Sequence, residues 1–102
     1  MSELNGIHSR RRKKSFAVEC ASRWLVEANR PCSVDAVFNN MLFRNGRLYK
    51  STRYAITMNE LRARMLRMPK LFDIHRDDSI LMFSCRKENY DYYFHDYRSQ
   101  KK

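Results

Sequence analysis

Glycine and proline are scarce in this chain of 102 residues, which has two of each. Turn-rich all-β proteins need these residues at many tight turns, whereas helices exclude them from their interiors. Hydrophobic residues make up 43% of the sequence and aromatic residues 13%, too much for a disordered chain. The length suits one domain with a small core. The composition therefore predicts a single, mainly α-helical domain with a small β component.

Residue patterns typical of metal-binding, phosphate-binding and catalytic sites are also missing. The three cysteines are odd in number and far apart: Cys20, Cys32 and Cys85. No CxxC pair and no HxxxH spacing occurs, and two glycines cannot build a phosphate-cradling loop. The acids at 77–78 are typical turn residues, and the His-Asp pair at 95–96 has no identifiable nucleophile. We therefore expect no metal site, no cofactor and no catalytic activity.

Long hydrophobic runs are absent as well. No apolar run approaches the roughly 20 residues that span a bilayer, and residues 1–14 lack the apolar core of a secretory signal. Unpaired cysteines fit a reducing compartment. We expect an intracellular protein, in the cytoplasm, nucleoid or nucleus, that is neither secreted nor bound to a membrane.

Positive charge is abundant and uneven. The formal net charge is +10. Residues 1–14 hold five bases and one acid and residues 44–70 hold eight and one, whereas 15–43 hold two and three and 71–102 hold six of each. Charge that served only solubility would have no reason to collect in two blocks. The blocks predict a surface that faces phosphates.

The first part of the chain divides into an arm and a helix. Residues 1–14 lack apolar periodicity and end in five consecutive bases, which predicts a flexible basic arm. The domain itself is expected over residues 15–85. Its first helix should begin at a Ser15 cap, follow apolar residues at helical spacing, and end before Pro31.

A second helix and a basic loop are expected next. Ser33 is a suitable cap, and Asn45-Gly46 is a helix stop signal. The residues between them carry a helical apolar stripe: Val34, Val37, Phe38, Met41 and Leu42. Residues 47–56 follow no single period and predict a basic loop, with a short strand or an early helical turn from Ser51.

The third helix has the clearest pattern. Thr57 and Glu60 match a capping box, in which a hydroxyl and a carboxylate bond each other's free backbone amides. At 100° per residue the inner side is Met58, Leu61, Met65 and Met68. The outer side is Asn59, Glu60, Ala63 and Arg67, flanked by Arg62 and Arg64. A polar, basic helix face with a small residue at its centre is therefore expected.

A β-hairpin and an aromatic segment complete the chain. After Pro69, apolar runs at 71–74 and 80–83 are joined through 76–79, which predicts a hairpin. Aromatic residues alternate in the segment 86–102, which predicts a further strand. The alternative is an aromatic and basic tail.

Three helices followed by a hairpin, with the most basic helix directly before it, resemble the winged helix-turn-helix superfamily. The resemblance covers about residues 15–85 and rests on "ELRARMLRMPKLFDIHRDDSILMF". It implies that the third helix, 57–68, lies in the DNA major groove and that the wing, 75–79, contacts the backbone or minor groove. The chain departs from the pattern at 47–56, because turns between such helices usually take three or four residues.

These observations predict a nucleic-acid-binding regulator, with duplex DNA as the favoured partner. Arginine pairs with guanine and asparagine with adenine through bidentate hydrogen bonds, and further bases contact phosphates. The predicted contact residues are Arg10, Arg11, Arg12, Lys13, Lys14, Arg47, Lys50, Arg53, Asn59, Arg62, Arg64, Arg67, Lys70 and Arg76.

Two alternatives remain open. Tyr49 and Tyr54 stand among bases, where they would stack on unpaired bases in an RNA or single-strand binder, or would cover an edge of the core. The other alternative is a small viral or phage-type interaction protein whose basic face docks on an acidic host protein. Its tyrosine-rich segment would bind that host protein or a second copy through Tyr90, Tyr92, Tyr93, Phe94 and Tyr97.

Overall fold

The computed structural model describes residues 16–94, which form four α-helices and a three-stranded antiparallel sheet. The elements are α1 (16–28), β1 (Cys32–Ser33), α2 (Val34–Asn40), a 3-10 helix (Tyr49–Ser51), α3 (Met58–Leu66), β2 (Phe72–Asp77), β3 (Ile80–Cys85) and α4 (Lys87–Tyr93). The expected helix-rich fold with a small antiparallel sheet is confirmed. The predicted arm, the Ser15 cap and Tyr97 lie outside the described residues.

Helix α1 lines the core with its small and apolar side. Ala17, Ala21 and Leu25 recur at helical spacing and are completely buried. Asn29 ends the helix in the left-handed region (φ 55°), and its N–H bonds the Leu25 carbonyl at 2.9 Å. Asparagine is one of the few residues that tolerate this conformation, so the helix ends at residue 28, three residues before Pro31.

Helix α2 begins as expected but ends early. The Ser33 hydroxyl accepts a hydrogen bond from the Ala36 N–H at 3.2 Å, which confirms the predicted cap. The predicted stop at Asn45-Gly46 is wrong, because α2 ends at Asn40. Residues 42 and 48 instead pair in an isolated antiparallel bridge, and Asn45-Gly46 lies in the turn between them. Gly46 has φ 86°; the same dipeptide suits a helix end and a hairpin turn.

Helix α3 confirms the capping box. The Thr57 hydroxyl accepts from the Glu60 N–H at 3.1 Å, and the Glu60 carboxylate accepts from the Thr57 N–H at 3.2 Å. Leu61 and Met65 are completely buried on the inner side. Arg67 follows the last helical residue, and its N–H bonds the Arg64 carbonyl at 3.1 Å.

The predicted hairpin is confirmed, and the sheet has one strand more than expected. β2 pairs with β3 along the full length of both strands, and Asp78-Ser79 form the turn, both with positive φ (49° and 72°). Two residues in that region are typical of the tightest hairpin turns. β1 pairs with the middle of β3, giving the order β1-β3-β2. Two residues are too few to show a strand period in the sequence.

Within the described part of the segment 86–102 the predicted strand is wrong, because residues Lys87–Tyr93 form α4. Lys87 and Asp91 form an ion pair of 3.0 Å one turn apart. The rings of Tyr90 and Phe94, also one turn apart, have centroids 5.2 Å from each other. The aromatic residues therefore satisfy a helical spacing as well as the alternation, and in the helix Tyr90 reaches Glu19 of α1.

A buried carboxylate fastens α4 to the rest of the domain. Glu19 of α1 is 1% exposed, and its Oε2 accepts from the Tyr90 hydroxyl and the Arg23 guanidinium, each at 2.6 Å. Its Oε1 has Arg44 Nε at 3.8 Å. Arg23 also donates to the Leu42 carbonyl at 2.5 Å. Because a buried charge is costly unless paired, these partners hold α1, α4 and the segment after α2 together.

Replacing Thr57 with alanine should destabilise the protein by about 1 kcal/mol, because the Glu60 N–H at the start of α3 loses the hydroxyl that accepts its hydrogen bond. For a domain of this size, that loss lowers the melting temperature by roughly 4–8 °C. Thermal unfolding followed by circular dichroism measures the change. Thr57→Ser keeps the hydroxyl and is the control; equal melting temperatures for the alanine variant and the wild type would contradict the capping role.

Tyr90 should make stability depend on alkaline pH. Burial and the hydrogen bond to Glu19 raise the pKa of Tyr90 from its ordinary 10.0 to about 12. The folded chain therefore keeps this proton where the unfolded chain has lost it, so the stabilisation is complete below pH 10 and is lost as the pH rises toward 12. We expect Tyr90→Phe to show a shallower loss of unfolding free energy over this range in denaturant titrations.

Tyr92→Phe is the matched control for that measurement, because the Tyr92 side chain is 81% exposed. Its stability should follow the wild-type curve with pH. Parallel curves for Tyr90→Phe and the wild type would show that the Tyr90 proton contributes nothing to stability.

Candidate nucleic-acid interface

The outer side of α3 faces solvent along the whole helix. The four residues predicted to lie on this side are all exposed: Asn59, Glu60, Ala63 and Arg67. Arg62, predicted to flank them, is exposed as well. The predicted division of α3 into an inner and an outer side is therefore confirmed. Asn59, Ala63 and Arg67 form one row at i, i+4 and i+8, with Arg62 beside it.

Arg64 lies differently from its neighbours. Its side chain is half-buried, and its Nε is enclosed without a hydrogen-bond partner among the described residues. It is close enough to Tyr49 for its charge to oppose the rise in the pKa of that tyrosine. Arg64 therefore stands at the junction between α3 and the preceding loop rather than at the centre of the outer face.

Two further bases follow α3 directly. Lys70 is exposed in the turn before β2, and Arg76 is exposed near the outer end of β2, the strand that packs beside α3. The acids Asp77 and Asp78 are exposed at the tip of the hairpin. Positive charge on the hairpin is thus confined to Arg76, and its tip is acidic. The arm residues 10–14 lie outside the described residues.

The loop between α2 and α3, here called the insert (residues 42–56), carries four exposed bases. Arg44 is paired with Glu19, and the other three are Arg47, Lys50 and Arg53. Its 3-10 helix packs against α2, which in turn packs against α3. The Lys50 Nζ donates to the Asn39 side-chain oxygen at 3.0 Å, which ties the insert to the end of α2.

The bases of the chain differ in whether they have partners inside the protein. Ion pairs among the described residues engage Arg23, Arg44, Arg86 and Lys87. None of those pairs includes a predicted contact base within residues 16–94: Arg47, Lys50, Arg53, Arg62, Arg64, Arg67, Lys70 and Arg76. Among the described residues, the bases without an ion-pair partner are therefore these eight and Arg30 at the end of α1.

The two tyrosines of the insert have different environments. Tyr49 is completely buried, so the hypothesis that its ring stacks on an unpaired base is wrong. Burial raises the pKa of its hydroxyl. Tyr54 is 42% exposed, its ring stacks on Phe43 with centroids 6.2 Å apart, and the Arg53 guanidinium lies 5.8 Å from its centre. In the sequence both tyrosines stand among basic residues, so the pattern does not show which of them is buried.

The aromatic residues of α4 do not form one surface. Tyr90 and Phe94 pack inward, and Phe94 is only 6% exposed. Tyr92 and Tyr93 are exposed, and their rings meet edge to face with centroids 5.7 Å apart. The predicted patch of five aromatic residues is thus reduced, within the described residues, to this pair.

Two of the described cysteines, Cys20 and Cys85, have thiols that resist ionisation. Burial raises the pKa of Cys20 to about 11 and that of Cys85 to about 12, which disfavours the reactive thiolates. No group of three histidine, cysteine or acidic residues in this range is placed to hold a metal ion. Every helix in the same range is too short or too polar to cross a bilayer.

The candidate site thus consists of the exposed α3 face, the basic insert that precedes it in the chain and the hairpin that follows it. No protein-family model, curated protein or solved structure matches this chain.

Proposed function

We propose that this chain is a duplex-DNA-binding regulator of the winged helix-turn-helix type, in which α3 enters the major groove and the β2–β3 hairpin is the wing. The order of elements supports the proposal, since an exposed basic helix directly precedes a two-stranded hairpin. The observation that carries it is the distribution of partners. The bases around α3 are in no ion pair among the described residues, whereas most other described bases are paired.

The row on α3 has dimensions that suit a major groove. From Asn59 to Arg67 the helix rises by about 12 Å at 1.5 Å per residue, close to the groove width of about 12 Å. The methyl side chain of Ala63, between them, lets the helix backbone approach the bases. Asn59 then bonds an adenine edge, and Arg62 and Arg67 bond guanine edges or adjacent phosphates.

The flanking bases position the helix rather than choose a sequence. Lys70 and Arg76 contact phosphates on the side of the wing. The acidic residues at the tip, Asp77 and Asp78, repel phosphates, so the wing contacts DNA along Arg76 and not at its turn. The arm, Arg10 to Lys14, adds phosphate or minor-groove contacts of the kind that basic arms make beside helical DNA readers.

The α3 face is tested by the double variant Arg62→Ala with Arg67→Ala. Each good bidentate contact is worth roughly 1–3 kcal/mol, so we expect the affinity for duplex DNA to fall at least about tenfold. The measurement is a fluorescence anisotropy titration against duplex DNA, single-stranded DNA and RNA at two salt concentrations. Circular dichroism confirms that the variant is folded.

The matched control is Arg30→Ala with Lys87→Ala, which removes the same charge from the cleft between the end of α1 and the start of α4. It should weaken binding much less. Unchanged affinity in the α3 variant would refute the proposed face, and an equal loss in the control would show that net charge, not α3, determines binding. Stronger binding to RNA or single strands than to duplex would refute the choice of duplex DNA.

A second candidate function is that of an interaction protein whose basic face docks on an acidic host protein. The observation in its favour is the exposed Tyr92–Tyr93 pair, because tyrosines provide large contact area at interfaces. A pull-down after nuclease treatment separates the two functions. Stoichiometric recovery of one acidic protein, lost in a Tyr92→Ser, Tyr93→Ser variant, would favour this candidate; loss of all partners with nuclease would favour DNA binding.

A further inference from the structure

Backbone hydrogen bonds order the insert, although its sequence follows no single period. The Phe43 N–H bonds the Arg47 carbonyl at 2.7 Å, and the Tyr49 N–H bonds the Met41 carbonyl at 3.0 Å. Between them Asn45 closes the turn, its side-chain oxygen accepting from the Arg47 N–H at 3.0 Å. The first half of the insert is therefore a small closed hairpin and not a loose connection.

The side chain of Tyr49 holds the second half of the insert in place. Its ring is completely buried and packs edge to face on Phe38, with centroids 6.4 Å apart and the planes at 79°. Its hydroxyl donates to the Tyr54 carbonyl at 3.2 Å and accepts from the Ile56 N–H at 3.0 Å. Ile56 directly precedes the Thr57 cap, so one buried side chain connects the insert to the start of α3.

The charges that this framework displays are of one sign. No acidic residue occurs between Asp35 and Glu60. Arg47, Lys50 and Arg53 are exposed and lie in no ion pair among the described residues. A surface that is purely cationic complements a polyanion better than a folded protein surface, which carries charges of both signs.

We propose that the insert is a second, preorganised nucleic-acid contact surface, which grips the phosphate backbone outside the α3 contact, and that Tyr49 is its positioning residue. The inference rests on the proposed function and adds a contact to it. A free loop of this length would lose conformational entropy on each binding event. Because the hydrogen bonds of Tyr49 order the insert in the folded protein, this entropy is lost during folding and not on binding. The three bases are therefore already in position when they contact the phosphates.

The test is the salt dependence of duplex binding, because the slope of log affinity against log salt falls by about 0.9 for each phosphate contact that is lost. The variant Arg47→Ala, Lys50→Ala, Arg53→Ala should reduce the slope by about 2 to 3. Tyr49→Phe removes no charge at neutral pH, yet it should reduce the slope by about 1 or more, because the neighbouring bases leave their positions. Adding Tyr49→Phe to the triple variant should produce no further reduction.

Ser22→Ala is the matched control, since it also removes one buried hydroxyl, which donates to the Val18 carbonyl within α1 at 2.9 Å. It should lower the melting temperature without changing the slope, which separates positioning from general destabilisation. The triple variant alters only exposed side chains and keeps the test decisive even if Tyr49→Phe folds poorly.

The outcomes distinguish this inference from the function on which it rests. A wild-type slope in the triple variant, or in folded Tyr49→Phe, would overturn the insert surface even where the α3 variant weakens binding. A wild-type protein that shows no salt-dependent duplex binding would overturn both. A reduced slope in Tyr49→Phe and the triple variant, but not in Ser22→Ala, would support the second surface.

Discussion

One buried carboxylate holds together the parts of this domain that lie farthest apart in the sequence. Glu19 receives hydrogen bonds from Tyr90 of α4 and from Arg23, and Arg23 in turn bonds the Leu42 carbonyl where the insert begins. The charge of Glu19 has almost no access to water, so it requires these donors. Tyr90 thereby connects α4 to α1, and Arg23 connects the start of the insert to the same carboxylate.

Sequence patterns predicted the elements that local interactions determine. The Thr57 cap, the inner side of α3 and the β2–β3 hairpin depend on residues within one or two turns of each other. α4 and the end of α2 could not be predicted in the same way, because their patterns fit two structures equally well and contacts from distant residues decide between them. Glu19 itself resembles an ordinary surface residue of a helix until Tyr90 is placed beside it.

The candidate site was predictable in outline because the exposed side of α3 also follows from local periodicity. Amphipathic periodicity shows which side of α3 faces solvent, but it does not show which bases have partners. Arg44 and Arg47 are equivalent in the sequence, yet Arg44 lies 3.8 Å from Glu19 and over the ring of Phe16, whereas no ion pair among the described residues engages Arg47. Tyr49 and Tyr54 are likewise equivalent in the sequence and opposite in exposure.

Because β1 is short, the sheet has three strands near the body of the domain and two strands beyond it. Near the body the sheet is three strands wide, but β1 reaches only Met82 and Phe83, so the hairpin beyond them is a two-stranded ribbon. Ile80, beside the turn, is 56% exposed. A ribbon supported on one edge bends and opens more easily than the sheet at its base. We therefore expect the outer part of the hairpin to bend more easily than the inner strands, which β1 connects to the core.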